Sequence, residues 1–534
     1  MSDTNTSGTE MVDYFSKLPH PLIHHILSFL PFDDVARTCT LSEDWHRIWL
    51  SYPNVEFHFD FCAYKGQDFF NHIENSLAEC IVRKACIQNF SLSICYPAIE
   101  ILAPNLDHWL RLAMKKNISK LRLSIGRFWD YIRPSLVLYS IPEEVLVANT
   151  LEVLDLHQCN LKEDRFGYIN LPRLGKLSLN KCQFVGESLL QKIVSACPIV
   201  EHISILRCIG VGHFLFVSCK PELKYFKVDR CEPELEKIEI DAPNLHTLSY
   251  NSSYKVCAIE MSIWSSVKEL ELGHAMVMQL EYLLSKFLCI EVLKLSHGPS
   301  DKIKISSQSI KVLVFGFFFQ FPGATIEAPA LHTLEFSSTM SFSSEIKFSY
   351  WNVPKLDDID MIFSVDNFSK ACKAGLKEFL MKLHNYEDLR VVIFNNDNFV
   401  MVEKLHAVSF SFLRNMVRSI NILITSRYET HLVQMLGKPV IKVAATIYMM
   451  CSSPENAESF YKKLGDHSII KDKYRLLELV SPEEVEQQMN SALIEFVKSN
   501  SRVFNHHAAI ILHKRTLADL IRRLGRRFDF YNRH

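Results

Sequence analysis

The sequence predicts an α/β protein in which a short N-terminal helical module precedes a long solenoid of parallel strands and helices. Helix-length apolar patterns, punctuated by proline and capping residues, fill residues 17–52. A unit of the form LxxLxL then recurs every 20 to 26 residues across residues 151–336. The last hundred or so residues do not continue that pattern, so we expect a mixed, mostly helical C-terminal segment.

The composition excludes several functional classes. The chain has 534 residues, with 59 Lys and Arg against 60 Asp and Glu and a net charge of −1. This balance argues against a strongly basic nucleic-acid binder. The chain has only 16 glycines and contains no GxGxxG, GxxxxGK(S/T), GxSxG or HExxH motif. We therefore predict a non-enzymatic protein with no active site of its own, no cofactor and no metal.

The sequence indicates an intracellular protein, in the nucleus or the cytoplasm. Residues 1–13 are polar, unlike a secretory signal, and we predict them to be disordered. The longest apolar runs, at 312–321 and 443–451, are about half as long as a membrane-spanning helix, so no membrane association is expected. The 15 cysteines contain no CxxC motif, which favours reduced thiols.

The N-terminal module contains three short helices. The first ends at Pro31, Asp33 is placed to cap the second, and Ser42 is placed to cap the third. The third helix carries Trp45 and Trp49 about one turn apart. So short a module cannot bury this many large apolar groups internally. We therefore expect an apolar surface that a partner covers.

The motifs of the module are Leu18-Pro19, ILSFLP at 26–31, Asp34, RTCTLS at 37–42, Trp45 and Trp49. With these residues it resembles an F-box, the domain through which substrate receptors dock on the Skp-type adaptor of a cullin ubiquitin ligase. Cys39 and the EDWH run at 43–46 depart from the plant pattern without removing an apolar anchor. The resemblance assigns the F-box to residues 14–54; the alternative is an ordinary helical hairpin packed on the rest of the chain. The adaptor-binding residues that it implies are Leu18, Pro19, Ile23, Ile26, Leu27, Leu30, Pro31, Trp45 and Trp49.

A repeat array follows the module, and we assign it to residues 55–425. The clear strand triplets are Leu151-Leu154-Leu156, Leu174-Leu177-Leu179, Val200-Ile203-Ile205, Leu223-Phe226-Val228, Leu245-Leu248-Tyr250, Val267-Leu270-Leu272, Ile290-Leu293-Leu295, Ile310-Leu313-Phe315 and Leu331-Leu334-Phe336. Looser strands are expected at 57–59, 90–94, 121–125, 389–394 and 417–422. A unit of this length cannot bury its hydrophobic face alone, so units stack into a solenoid with parallel strands on the concave face. Helices, such as 106–114 and 189–194, are expected on the convex face.

Two stretches of the repeats extend the family resemblance. Trp109 with the ISKLRLSI run at 118–125, and LLQKIVSACPIVEHISILRC at 189–208, resemble plant F-box proteins with leucine-rich repeats. The resemblance covers roughly residues 14–425. It implies a substrate-recognition subunit of a Skp–cullin–F-box ubiquitin ligase. Its partners would be the Skp-type adaptor, a cullin reached through that adaptor, and a target protein of unknown identity.

Four cysteines recur at one position of the repeat. Cys159, Cys182, Cys208 and Cys231 each follow the last apolar residue of a strand triplet by three residues. This repeat class uses Asn or Cys at that turn position. No histidine lies at ligand spacing beside them, so we predict buried structural thiols and not a metal site.

Substrate recognition is assigned to the concave strand face. Residues that alternate with the buried apolar positions point to that side of the strands. They include both acids and lysines, a mixed surface that suits a polar protein partner and not a phosphate backbone. The predicted substrate-binding residues are Asp155, Lys227, Glu271, Lys294 and Glu335, the last four along one continuous strip with about 4.8 Å between neighbouring strands.

Residues 426–534 match no accessory domain that we recognise in the sequence, and we assign them as a mostly helical cap or accessory segment. A strand is expected near 440–450, a helix beginning at Ser481, and a last helix near 516–527.

Two other functions stay open at this point. In one, the chain is a leucine-rich-repeat scaffold outside any ligase, or a sensor that binds a small molecule or peptide on its concave face. In the other, it is an enzyme with an unrecognised site, which the motif search and the scarcity of glycine disfavour. Co-purification with a Skp-type adaptor separates the ligase subunit from both.

Overall fold

The computed structural model describes residues 18–60, 73, 77, 79–84, 86–95, 99–126, 138–186, 188–296, 303–318, 324–340, 348–356, 358–365, 388–395, 419–425, 445–451, 474–480 and 508–514. The chain forms two compact units. The first comprises residues 1–245 and 257–263, and the second comprises residues 246–256 and 264–534.

Seven α-helices lie within the described residues. They are α1 (His20–Leu27), α2 (Phe32–Thr38), α3 (Glu43–Ser51), α4 (Glu79–Arg83), α5 (Ile99–Met114), α6 (Leu189–Ser195) and α7 (Leu280–Lys286). Short 3-10 helices span Glu143–Val145, Glu163–Arg165 and Ala275–Gln279. In the part of the chain that the structure describes, no helix has the length and apolar content needed to cross a membrane.

The strands of the described residues are, in chain order, β1 (Asn54–Asp60), β2 (Asn89–Cys95), β3 (Lys120–Gly126), β4 (Tyr139–Ser140), β5 (Val153–His157), β6 (Cys159–Lys162), β7 (Lys176–Asn180), β8 (Gln183–Val185), β9 (His202–Leu206), β10 (Phe214–Val217), β11 (Tyr225–Asp229), β12 (Lys237–Ile240), β13 (Thr247–Ser252), β14 (Ala258–Met261), β15 (Glu269–His274), β16 (Val292–Ser296), β17 (Ile303–Ser306), β18 (Val312–Phe318), β19 (Ala324–Glu327), β20 (Thr333–Met340), β21 (Phe348–Asn352), β22 (Asp358–Val365), β23 (Asp388–Asn395), β24 (Ser419–Thr425), β25 (Ala445–Cys451), β26 (Tyr474–Val480) and β27 (Ala508–Lys514).

The N-terminal module has the three helices that the sequence predicts. Ser42 caps α3 as expected, because its side chain accepts a hydrogen bond from the backbone N–H of Trp45 at 3.2 Å. The predicted cap of α2 is wrong. Pro31 holds the N-cap position, and Asp33 lies in the first helical turn, where its negative charge interacts favourably with the helix dipole. The core of the module consists of Ile23, Leu27, Val35, Ile48 and Tyr52.

Seven strands of the first unit form a parallel ladder in the order β1, β2, β3, β5, β7, β9 and β11. The apolar residues of the predicted triplets, such as Leu154 and Leu177, are fully buried, and the residues between them are partly exposed. We call this partly exposed side the open face of a ladder. Helix α6 buries Leu189, Leu190 and Ile193, the apolar face predicted for it. The predicted α/β fold of helical module and parallel repeats is therefore confirmed.

Nine strands of the second unit form a parallel ladder in the order β13, β15, β16, β18, β20, β22, β23, β24 and β25. Strand β23 contains the looser unit predicted at 389–394, and β24 contains residues 419–422 of the unit predicted at 417–422. Strand β25 confirms the strand expected near 440–450, and β27 pairs antiparallel with β25 and β26. The helices predicted from Ser481 and near 516–527 lie outside the described residues.

Candidate functional site

An apolar stripe covers the outer side of the N-terminal module. Its members are large apolar side chains that the chain itself leaves exposed: Leu22 (52%), Ile26 (36%), Phe29 (76%), Leu30 (44%) and Leu41 (67%). Three of them, Leu22, Ile26 and Phe29, recur at spacings of four and three residues, so they share one face of α1 and its C-terminal turn. The opposite face of α1 packs Ile23 and Leu27 into the module core. We call the five exposed residues the outer stripe.

The residues predicted to bind the adaptor divide into two groups. Ile26 and Leu30 belong to the outer stripe, and Pro19 and Pro31 are exposed residues that precede α1 and α2. Five others face the core. Ile23 and Leu27 are 0% and 2% exposed, and Leu18, Trp45 and Trp49 pack against them and their neighbours. Ile23 and Leu27 are buried in the core, whereas Leu18, Trp45 and Trp49 stay partly exposed. That these residues bind the adaptor stays a prediction.

Sequence reasoning missed three members of the outer stripe, namely Leu22, Phe29 and Leu41. The helical spacing of Leu22, Ile26 and Phe29 was a usable signal for two of them. Apolar residues follow one another so closely in this stretch that the sequence does not reveal which face of α1 the other helices cover.

Helices α2 and α3 carry exposed ion pairs. Arg37 pairs with Asp34 at 2.7 Å, and Arg47 pairs with Asp44 at 3.3 Å and with Glu43 at 3.6 Å. All are well exposed, so they add little stability.

A buried lysine joins the module to the residues that follow it. Lys84 is 0% exposed, and its Nζ donates hydrogen bonds to the carbonyl oxygens of Trp49 at 2.6 Å and Tyr52 at 2.9 Å. The same Nζ lies 4.5 Å from the centroid of the Trp49 ring. Burial lowers the pKa of Lys84 to about 8. Phe32 of α2 also meets Phe57 of β1 edge-on, with ring centroids 5.1 Å apart.

The open face of the first unit holds two of the predicted substrate-binding residues. The register places Asp155 and Lys227 in one row, with Ser178 and Ser204 on the two strands between them. Three strand spacings separate the pair, about 14 Å. The continuous strip predicted from Lys227 through Glu271 and Lys294 to Glu335 stays a prediction.

The open face of the second unit holds the other three. Glu271 and Lys294 are direct neighbours in one row, and Glu335 lies in the same row two strands beyond Lys294. Lys294 Nζ also forms a salt bridge of 2.7 Å with Glu269 in the adjacent row. Glu271 accepts a hydrogen bond of 2.7 Å from Ser249 Oγ. That these residues bind a substrate stays a prediction.

The four repeat cysteines form a column of buried thiols. None is more than 4% exposed, and none is in a disulfide. Three of the thiols hydrogen-bond to carbonyl oxygens of the strand in the preceding repeat: Cys182 to Leu156, Cys208 to Leu179 and Cys231 to Ile205, at 3.3 to 3.5 Å. Among the residues that the structure describes, no three His, Cys, Asp or Glu side chains are grouped to hold a metal ion.

Comparisons with known proteins match two parts of the chain. Residues 15–56 match the F-box domain model, and residues 83–296 match the model of the LRR domain of At1g61320/AtMIF1.

Relatives from Arabidopsis thaliana match about half of the chain. The F-box/FBD/LRR-repeat protein At5g22670 is 28% identical over 268 residues, which are 49% of this chain and 57% of the relative. The FBD-associated F-box protein At5g53635 is 29% identical over 264 residues, 47% of this chain and 58% of the relative. The FBD-associated F-box protein At4g13985 is 25% identical over 320 residues, 57% of this chain and 67% of the relative. The chain thus spans little more than half the length of the first two relatives.

Proposed function

We propose that this chain, an F-box protein with leucine-rich repeats, is the substrate-recognition subunit of a Skp–cullin–F-box ubiquitin ligase. The outer stripe of the F-box binds a Skp-type adaptor and through it a cullin. The open face of the repeats binds the target protein. The protein acts inside the cell, in the nucleus or the cytoplasm.

The outer stripe is the observation that carries the proposal. Five large apolar side chains stand exposed within twenty residues, on a module too small to cover them itself. Water penalises such a surface by roughly 25 cal/mol for each Å² of apolar area, so a partner that covers it gains that free energy. The core below the stripe is packed, with Ile23 and Val35 at 0% exposure, so the stripe is presented on a preformed surface.

The role needs no catalytic group in this chain. A receptor that holds a target lysine close to the charged conjugating enzyme raises the effective concentration of the two reactants. Lys84 holds the F-box against the repeats through its hydrogen bonds to Trp49 and Tyr52. This contact would then help to fix the distance at which the target is presented.

The test is adaptor binding by a variant of the stripe. Leu22→Asp with Phe29→Asp puts two carboxylates into the proposed contact, where each would be buried without a partner. We expect the affinity for a Skp-type adaptor to fall by roughly 100-fold or more, which corresponds to about 2.7 kcal/mol. Both positions are exposed in the free chain, so the variant keeps its fold.

The matched control is Ile101→Asp, since Ile101 is a 63% exposed apolar residue on α5, outside the F-box. It should bind the adaptor as the wild type does. Equal adaptor binding by the wild type and the folded stripe variant would exclude the proposed role of the F-box.

A further inference from the structure

The open face of the second unit carries an excess of acidic residues. Among the residues whose side chains the structure describes, two neighbouring rows of this face contain the acids Glu269, Glu271 and Glu335 and the base Lys294. Three acids against one base leave this described part of the two rows negative at neutral pH. A surface of this kind attracts a positively charged partner.

One part of this face also has an unused hydrogen-bond acceptor. Asn251 is 8% exposed, and its Oδ1 atom has no hydrogen-bond donor among the described residues. The orientation of the amide is set by Glu271, because Asn251 Nδ2 donates to Glu271 Oε1 at 3.5 Å and a carboxylate accepts only from the nitrogen. A buried acceptor without a donor costs free energy, so a ligand that supplies a donor would be favoured there.

The acceptor lies above a glycine. A Cβ atom on Gly273 would lie 2.2 Å from Asn251 Oδ1 and 2.7 Å from Ser296 Oγ, so both oxygens occupy the space that a side chain would fill. The register places Asn251, Gly273 and Ser296 side by side on β13, β15 and β16. We call Asn251, Glu271, Gly273 and Ser296 the acidic notch.

Buried neighbours hold the carboxylate of the notch in place. Ser249 is 0% exposed and donates to Glu271 Oε2 at 2.7 Å, while Asn251 donates to Oε1. Glu269 is held in turn by Lys294 at 2.7 Å. Acceptors that are fixed before binding lose little conformational entropy when a ligand arrives.

We propose that this face binds an extended, arginine- or lysine-bearing segment of the target protein, with one basic side chain at the acidic notch. The inference rests on the proposed substrate-receptor function and names the chemical class of its target. A guanidinium group offers five N–H donors in a planar fork, which suits a site of carboxylate, amide and hydroxyl oxygens. Glu335, farther along the same row, binds a further basic residue of the segment.

The experiment measures fluorescence anisotropy of two labelled nonapeptides with the full chain. One peptide alternates glycine with arginine, and the other alternates glycine with glutamate. The arginine peptide should bind, and its affinity should fall as the salt concentration rises, because the attraction is electrostatic. The glutamate peptide should not bind measurably.

Two variants locate the site. Glu271→Gln removes the charge and keeps the size, and we expect it to lower the affinity for the arginine peptide about tenfold. Glu335→Gln changes another acid of the same row and should lower the affinity for the peptide three- to fivefold. The matched control is Glu281→Gln, since Glu281 is a 67% exposed acid on α7. It should change the affinity less than twofold.

The result that overturns the inference is an arginine peptide that binds the Glu271→Gln and Glu335→Gln variants as tightly as the wild type, or fails to bind the wild type at low salt. Preference for the glutamate peptide overturns it too. Adaptor binding is measured on the same preparations. Loss of peptide selectivity with intact adaptor binding rejects the basic target alone, and the reverse result rejects the ligase role alone.

Discussion

The ammonium group of Lys84 lies 2.6 Å from the carbonyl oxygen of Trp49 and 4.5 Å from the centroid of its indole ring. Trp49 belongs to the last turn of α3 in the F-box, and its carbonyl oxygen also accepts a hydrogen bond of 3.2 Å from the backbone N–H of Tyr52. Lys84 follows α4, beyond the first strand of the ladder. The contact therefore stabilises the end of a helix and joins the F-box to the repeats.

The first prediction is that Lys84→Met loosens this joint. Methionine fills a similar volume but donates no hydrogen bond. The carbonyl oxygen of Tyr52 therefore loses the lysine donor in a buried place, and that of Trp49 keeps only the backbone N–H of Tyr52. We expect a cost of about 2 kcal/mol. Amide hydrogen exchange near the C-terminal end of α3 should accelerate by roughly 30-fold.

The control for this prediction is Lys115→Met at an exposed position. It should leave exchange in α3 unchanged, because surface substitutions away from special features usually alter stability by less than about 0.5 kcal/mol. Wild-type exchange rates in the Lys84→Met variant would show that the two hydrogen bonds contribute no net stability.

The second prediction concerns the acid sensitivity of the first unit. His202 of β9 stacks on Tyr225 of β11 with ring centroids 4.1 Å apart. Burial, and then the positive charge of Lys176, lower the pKa of His202 from 6.5 to about 4. The unfolded chain therefore binds a proton between pH 6.5 and 4 that the folded chain does not. The contribution of His202 to the free energy of unfolding is therefore fully present above pH 6.5 and is lost as the pH falls toward 4.

His202→Phe keeps an aromatic ring for the stack on Tyr225 and removes the titrating group. The melting temperature of the variant should therefore fall less steeply than that of the wild type between pH 6.5 and 4. Parallel slopes for the two proteins would assign the acid sensitivity to other groups.

The repeats could be predicted from the sequence because the same LxxLxL pattern recurs many times along the chain. Leu154, Leu177 and Leu270 occupy equivalent positions in three of the repeats, and all are 0% exposed. Because many repeats share the pattern, misreading any one of them does not change the repeat spacing that the others define. The same spacing also predicts which residues lie side by side on neighbouring strands. Glu271 and Lys294 occupy equivalent positions in their repeats, and they are paired in the structure.

The adaptor-binding surface was harder to predict for a physical reason. Helix α1 and the residues after it carry apolar side chains on more than one face, and periodicity alone does not distinguish the core face from the partner face. Only the packing of α2 and α3 buries Ile23 and Leu27 and leaves Leu22 and Phe29 exposed. Lys84 gave no sequence signal, since its hydrogen bonds join residues 32 and 35 positions apart.

The third prediction concerns the packing of the cysteine column. Cys182 is 0% exposed, and its thiol lies 3.3 Å from the carbonyl oxygen of Leu156. Cys182→Ala removes the sulfur and leaves a small cavity, at an expected cost of about 1 kcal/mol. Thermal denaturation should show a modestly lower melting temperature for this variant. The melting temperature of Cys219→Ala should be unchanged, because that side chain is exposed.

The metal content of the same preparations tests the prediction that the column is structural. Elemental analysis should give the same value for the wild type and the Cys182→Ala variant. Zinc present in stoichiometric amount in the wild type and absent from the variant would instead identify the column as a metal site.

The last prediction is that thiol reactivity follows burial. Burial raises the pKa of Cys80 to about 11 and that of Cys197 to about 12, so at pH 8 almost none of either thiol is the reactive thiolate. Cys86 and Cys219 are exposed. Iodoacetamide at pH 8 should therefore label Cys86 and Cys219 within minutes and leave the two buried thiols unlabelled until urea is added. Peptide mass spectrometry assigns each site, and early labelling of Cys197 in the folded chain would mean that the interior beside α6 opens readily.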